Sequence, residues 1–308
     1  MKGQIEMNQG MLNAVELLDG EIKKSLQKIS PEASDRINEI RLRSGRHLTL
    51  TLNGKDYFLS PGSELIQKPQ DAIICADSDI EYAFKTAFSY SLHSYSKELA
   101  SGYITTKGGN RVGICGTAVS TNGTEQVDTV KYISSLNIRI ARQIKGFAEG
   151  VYEKCLADRL CGVLIIGPPA SGKTTFLRDL TRLLGSKTKV SLIDELNEIS
   201  ATYRNKPQND IGTMTDVFVG YPKHKGIETA VRVMSPRAIV VDEIGTERDL
   251  YSLEYALHSG VFLITAVHGT DLEDARRKSC IMSLMKERAF DYAVELHSGY
   301  GIKVKKID

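Results

Sequence analysis

At 308 residues the chain exceeds the usual length of one domain, so two are expected, with a core large enough to fold without disulfide staples. Forty basic against thirty-eight acidic residues leave a net charge of +2, which gives no support to a general nucleic-acid binder. The five cysteines are scattered and form no C-x-x-C pair, which argues against a zinc site or a disulfide framework and for a reducing compartment.

The first residues, Met1-Lys-Gly-Gln-Ile-Glu-Met-Asn8, lack the apolar core of a signal peptide. No apolar run approaches the roughly 18 residues that cross a bilayer. A cytoplasmic protein is expected, held at any membrane through partners. Three extended runs follow, Ile40–Arg43, Leu48–Leu52 and Asp56–Leu59, with Asn53-Gly54 as a hairpin turn between the last two. Ser78-x-x-Glu81 reads as a capping box opening a helix whose Tyr82, Phe84, Ala87 and Phe88 pack in the core. Strands then return at Tyr103–Thr106, Val112–Val119 and Ser134–Ala141. If the last runs on to Arg142, the alternation of a strand points Arg139 and Arg142 to opposite faces. The segment Lys145-Gly-Phe-Ala-Glu-Gly150 reads as the junction, giving a smaller α+β domain over 1–146 and a second domain over 147–308.

The second half alternates strand and helix. Val163–Ile166 is a short apolar run of the kind found in buried parallel strands. Phe176, Leu177, Leu180, Leu183 and Leu184 recur at helical spacing, with Gly185 as the expected C-cap. Val190–Ile193, Ala238–Val241 and Val261–Ala266 are further strands, and a helix through Leu250, Leu253, Ala256 and Leu257 closes at Gly260. This order predicts an α/β domain with a mostly parallel sheet and ligands at the carboxyl ends of its strands.

Between the first of these strands and its helix lies Gly167-Pro168-Pro169-Ala170-Ser171-Gly172-Lys173-Thr174-Thr175, a full match to the Walker A pattern of P-loop nucleotide triphosphatases. Such a loop surrounds phosphates with backbone N–H groups at the positive end of a helix. Gly172 permits close approach, Lys173 reaches the β- and γ-phosphates of ATP, and the Thr174 hydroxyl ligates Mg²⁺. Ala238-Ile-Val-Val-Asp242-Glu243 is the Walker B candidate, with Asp242 on the Mg²⁺ side and Glu243 polarising the attacking water. Two further strand ends carry polar groups, Asp194-Glu195-Leu-Asn-Glu198 and Val267-His268-Gly269. Glu195 could order water and His268 could sense the γ-phosphate; each could equally be an exposed loop residue.

Together, Gly167–Thr175, Asp194–Glu198, Arg232–Gly245 and His268 resemble the type II/IV secretion ATPases, whose motifs come in this order. The closer likeness is to their sporulation branch, the stage III sporulation AA proteins. It is carried by Gly108-Gly-Asn-Arg-Val-Gly-Ile-Cys-Gly116, Ser134-Ser-Leu-Asn-Ile-Arg-Ile-Ala-Arg142, Ser235-Pro-Arg-Ala-Ile-Val-Val-Asp-Glu-Ile-Gly245 and Thr265-Ala-Val-His-Gly-Thr270. The resemblance implies an ATP-driven motor on the mother-cell side of an endospore-former. It also implies self-assembly into a ring, expected to be a hexamer, and integral membrane proteins of a channel complex as partners. Arg139 and Arg142 match the arginines that such proteins bring to the phosphates. Where many members carry arginine after Walker B, this chain has Gly245, so Arg232 or a neighbouring subunit would supply that charge.

Two other readings stay open. A small-molecule kinase would want a lid after the core, and the tail after Phe290 is short. A nucleic-acid-dependent ATPase could use the basic segments Tyr203-Arg-Asn-Lys-Pro-Gln208 and Tyr221-Pro-Lys-His-Lys225.

Overall fold

In the computed structural model, which describes residues 9–89, 96–120, 127–244, 246–297, 299 and 301–307, the chain forms two compact units. One comprises Met1–Arg142 and Tyr203–Gln208; the other comprises Gln143–Thr202 and Asn209–Asp308.

The first unit opens with α1 (Gln9–Val15), α2 (Gly20–Gln27) and α3 (Pro31–Ser34). Ser30 caps α3, its hydroxyl accepting from Ala33 N–H with Pro31 at the first helical position. Then come β1 (Ile37–Arg43), β2 (Thr49–Leu52), β3 (Lys55–Leu59), β4 (Leu65–Ile66), α4 (Asp77–Ala87), α5 (Ser96–Ser101), β5 (Tyr103–Thr105), β6 (Arg111–Val119) and β7 (Thr129–Arg139). The strands form one antiparallel sheet in the order β4-β3-β2-β1-β7-β6-β5. Ile40, Leu42, Leu50, Leu136 and Ile138 on its inner face pack with Met11, Leu26, Ile80 and Phe88. The hairpin turn falls at Asn53-Gly54, both left-handed with φ of 48° and 80°, as a two-residue turn between twisted strands requires.

Two local expectations are corrected. Helix α4 starts earlier than the Ser78 capping box predicts: its N-cap is Ala76, whose N–H donates to the Asp79 carboxylate at 2.8 Å. Alanine offers no side-chain acceptor in return, so half of a capping box suffices there. Strand β7 stops at Arg139, opposite Glu39 of β1, so Arg142 lies beyond the ladder.

The second unit contains α6 (Glu149–Cys155), β8 (Val163–Gly167), α7 (Lys173–Gly185), β9 (Val190–Asp194), β10 (Thr215–Val219), α8 (Lys223–Met234), β11 (Ala238–Glu243) and α9 (Glu247–His258). It continues with β12 (Phe262–His268), α10 (Leu272–Arg276), α11 (Ser279–Lys286), β13 (Tyr292–His297) and β14 (Gly301–Lys306). Its sheet runs β10-β9-β11-β12-β8-β13-β14, parallel except for the last pair. Alternate residues of β8 and β11 feed two cores: Val163, Ile165, Ala238 and Val240 on one face, Leu164, Ile166, Ile239 and Val241 on the other. A strand buried on both faces reads as an unbroken apolar run, which is why these two were legible.

Gly185 is not the left-handed cap its position suggests. The helix continues through it into Ser186, and a Cβ at 185 would lie 2.6 Å from the Ile211 carbonyl oxygen, so the glycine serves close packing. Gly260, by contrast, is left-handed with φ of 77°, two residues past the end of α9. The tail after Phe290 is no lid: it pairs with β8 and completes the sheet.

Candidate active site

Strand β8 ends at Gly167 and α7 begins at Lys173, so Pro168–Gly172 form the connecting loop. Gly172 sits at φ 92°, a conformation that glycine adopts without a Cβ penalty, and a Cβ there would also meet the ring of Phe147 at 3.3 Å. Phe147 is held edge-on against Phe176 of α7, with ring centroids 5.5 Å apart. The hydroxyl of Ser171 is buried with no hydrogen-bond partner, an orphaned polar group inside the loop. Thr174 and Thr175 fall in the first turn of α7, where backbone N–H groups have no intrahelical acceptor and the helix presents its positive end.

Lys173 is the most engaged side chain of the loop. Its ammonium donates to the carbonyls of Gly167 at 2.8 Å and Pro168 at 2.9 Å, and to His268 Nδ1 at 2.9 Å. Burial lowers its pKa, while the carboxylates of Glu243 and Asp242 oppose that shift. An ammonium can only donate, so His268 Nδ1 accepts and Nε2 carries the proton, facing Glu243 Oε2 at 3.3 Å. Lys173, His268 and Glu243 thus form one connected row.

The sheet order explains how four distant segments meet. Adjacent strands β9, β11, β12 and β8 end, side by side, in Asp194, Asp242-Glu243, His268 and Gly167. Against β12 the register slips between Val241 and Glu243, leaving Asp242 as a bulge that re-aims the two carboxylates. Burial, with Glu198 and Asp194 nearby, pushes the Asp242 carboxyl up to about 6, while Lys223 pulls the other way.

The loop after β9 is built around Asp194, which is 2% exposed. Its carboxylate accepts from the backbone N–H groups of Glu198 (2.8 Å), Ile199 (3.3 Å) and Ser200 (2.8 Å), and from the Ser200 hydroxyl at 2.7 Å. Arg178 of α7 ties the same loop down by donating to the carbonyls of Glu198 and Ile199. Glu195 is left facing outward and pairs with Lys223 at 3.8 Å. Sequence reasoning misses the internal role of Asp194, Arg178 as its brace, and the pairing of Lys223 with Glu195. The run Asp-x-x-Asn-x-x-Ser from 194 to 200 is the signal for a side-chain-capped loop; Lys223 lies in the basic segment Tyr221–Lys225, whose spacing does not tie it to Glu195.

The other candidates make contacts of their own. Arg139 and Arg142 belong to the first unit, where Arg139 faces Glu39 at 3.8 Å and Arg142 donates to the Ile37 carbonyl at 2.9 Å. Arg232 is exposed in a groove between α8 and α9 with Glu228, Tyr251 and Tyr255. Gly245 lies outside the described residues. The basic segment Tyr221–Lys225 opens α8 rather than forming a loop, and Tyr203–Gln208 is part of the first unit. Among the described residues, no three His, Cys, Asp or Glu side chains form a metal cage by themselves. Mg²⁺ asks for no such cage, since it keeps several waters and takes one or two carboxylates beside substrate phosphates. The over-full negative charge around Asp242 suits such an ion.

No helix among the described residues is long and apolar enough to cross a membrane. The fold, a P-loop α/β unit and a smaller α+β unit, is shared with ATPases of solved structure. The crystal structure of the pilus retraction motor PilT with bound ADP matches with a TM-score of 0.57 at 13% identity, over 89% of this chain and 79% of that one. The Legionella pneumophila ATPase DotB matches with a TM-score of 0.51 at 14% identity, over 89% and 74%. In sequence, stage III sporulation protein AA of Bacillus subtilis (strain 168) is 35% identical over 297 residues, spanning 94% of this chain and 92% of that protein. The family model described as sporulation stage III, protein AA matches residues 9–307, and the chain belongs to that family.

Proposed function

We propose that the chain is an ATP hydrolase that works, as a ring, to drive a sporulation channel complex from the mother-cell side. The observation that carries this reading is the row Lys173–His268–Glu243 at the mouth of the Gly167–Thr175 loop. Loop N–H groups and Lys173 receive the phosphates, Ser171 finds a partner for its buried hydroxyl, and Glu243 accepts a proton from the attacking water. His268, held between Lys173 and Glu243, relates the occupancy of one to the position of the other. Thr174 and Asp242 would hold Mg²⁺, which supplies charge neutralisation across the phosphate oxygens when bound. Glu195 lies outside this row and serves through its loop. Ring assembly, membrane partners and the approach of Arg139 and Arg142 to the phosphates are proposed from the family to which the chain belongs and from the motifs that carry the resemblance.

The test is Lys173→Ala, which removes the ammonium that answers phosphate charge. ATP-dependent thermal stabilisation should vanish while the circular-dichroism spectrum stays unchanged. Unaltered ATP affinity in that variant rejects the nucleotide reading.

A further inference from the structure

The strand ends gather Asp194, Glu195, Glu198, Asp242 and Glu243, and Lys223 of α8 stands within electrostatic reach of them. Its side chain is only 18% exposed, yet its ion pair with Glu195, at 3.8 Å, is loose. A loose pair of this kind holds the ammonium weakly and leaves it able to exchange Glu195 for another anion. The position is unfavourable on one count. Lys223 is the first residue of α8, whose opening turn has no acidic residue, so its charge faces the positive end of the helix dipole. Gly226, one turn on, shows why the lysine is nonetheless brought here. A Cβ at 226 would lie 2.8 Å from Ile193 Cγ2, so glycine lets α8 close on β9 and carries Lys223 to the residues that follow Ile193. Beside the pair lies a cleft of about 620 Å³ that Lys223 lines together with Glu195, His224 and Arg248. The stretch after Glu243, Ile-Gly-Thr-Glu, offers no cation before Arg248.

We propose that Lys223 is a second phosphate-facing lysine, resting on Glu195 and turning to the terminal phosphate of a bound nucleoside triphosphate. This role rests on the nucleotide chemistry proposed above. The two lysines then differ in what they answer. Lys173 holds the polyphosphate as a whole, and Lys223 meets the charge of the last phosphoryl group. The full-length protein with Lys223→Met, which keeps the stem and removes the charge, is compared with Lys223→Arg. Thermal-shift titrations with Mg·ATP and Mg·ADP are run beside phosphate release. We expect Lys223→Met to leave ADP affinity unchanged, to bring ATP affinity about tenfold closer to it, and to lower turnover by about 10². Lys223→Arg should recover most of the loss. The role is overturned if turnover and both affinities stay as in the unmodified protein, or if ATP and ADP affinity fall together, which marks a structural residue. It is equally overturned if Lys223→Met is silent while Arg248→Ala loses turnover. An unmodified protein that shows no nucleotide-dependent shift rejects the nucleotide reading and this role with it.

Discussion

His268 touches a cation through one ring nitrogen and a carboxylate through the other, and that fixes its neutral tautomer. Glu243 is therefore held by a donor before any substrate arrives, whereas Glu195 faces outward and leans on Lys223. The two glutamates should behave differently when their charge is removed. Glu243→Gln is expected to bind ATP normally and to lose turnover by about 10² or more, because an amide keeps the fit but does not take a proton. Glu195→Gln should retain most of its rate. Paired measurements of affinity and phosphate release decide between them, and the reverse ranking would move the base to the loop after β9. The loop Gly167–Thr175 and the acids Asp242 and Glu243 were legible because each is a run of fixed spacing next to an apolar strand. The link from Lys173 through His268 to Glu243 was not, since it joins residues 95 apart in sequence that only the sheet order brings together.

At the scale of elements, the loop after β9 depends on one carboxylate. Asp194 satisfies three backbone N–H groups and a hydroxyl in a buried setting, and Asn197 adds a second turn by accepting from Thr202 N–H at 2.6 Å. Removing a buried acceptor strands its donors, at about 1–3 kcal/mol for such a group. Asp194→Ala should lower the melting temperature by several degrees without nucleotide and loosen the 195–200 segment in hydrogen exchange. Asp194→Asn, which keeps one acceptor oxygen, should fall between. Equal stability of all three proteins would mean the loop is held from elsewhere. The same scale shows what a pattern reading loses. Strand β10, Thr-Asp-Val-Phe-Val, sits at the sheet edge and is half-exposed, so it lacks the continuous apolar run that betrays β8. The closing strand β14, Gly-Ile-Lys-Val-Lys-Lys, is another edge strand, and its lysines mask a ladder that β13 supports. Gly185 misled for a different reason: a glycine after a helical run looks like a cap, and only tertiary packing shows that it makes room for Ile211 and Thr215.

For the whole molecule, the proposed motor needs positive charge that the strand-end cluster does not contain in arginine form. If Arg139 and Arg142 supply it within a ring, hydrolysis per subunit should rise with protein concentration. Each arginine replaced by alanine should then lower turnover more than ATP affinity, by up to about 10³. Activity that is flat from dilute to concentrated protein, with both variants unimpaired, excludes the ring mechanism and leaves the loop chemistry intact. Dissection of the chain meets another feature of its architecture. Because the first unit takes Tyr203–Gln208 from beyond Thr202, the polypeptide passes between units at 142/143, 202/203 and 208/209. A fragment ending at Arg142 would lack Gln208, whose side chain accepts from Gly108 N–H at 2.8 Å, and Tyr203, whose hydroxyl meets Ser89 at 3.2 Å. The two halves are therefore not interchangeable cassettes. A gene fusion or natural recombination that exchanged the front of this protein at a single crossover would separate six residues from the unit they complete.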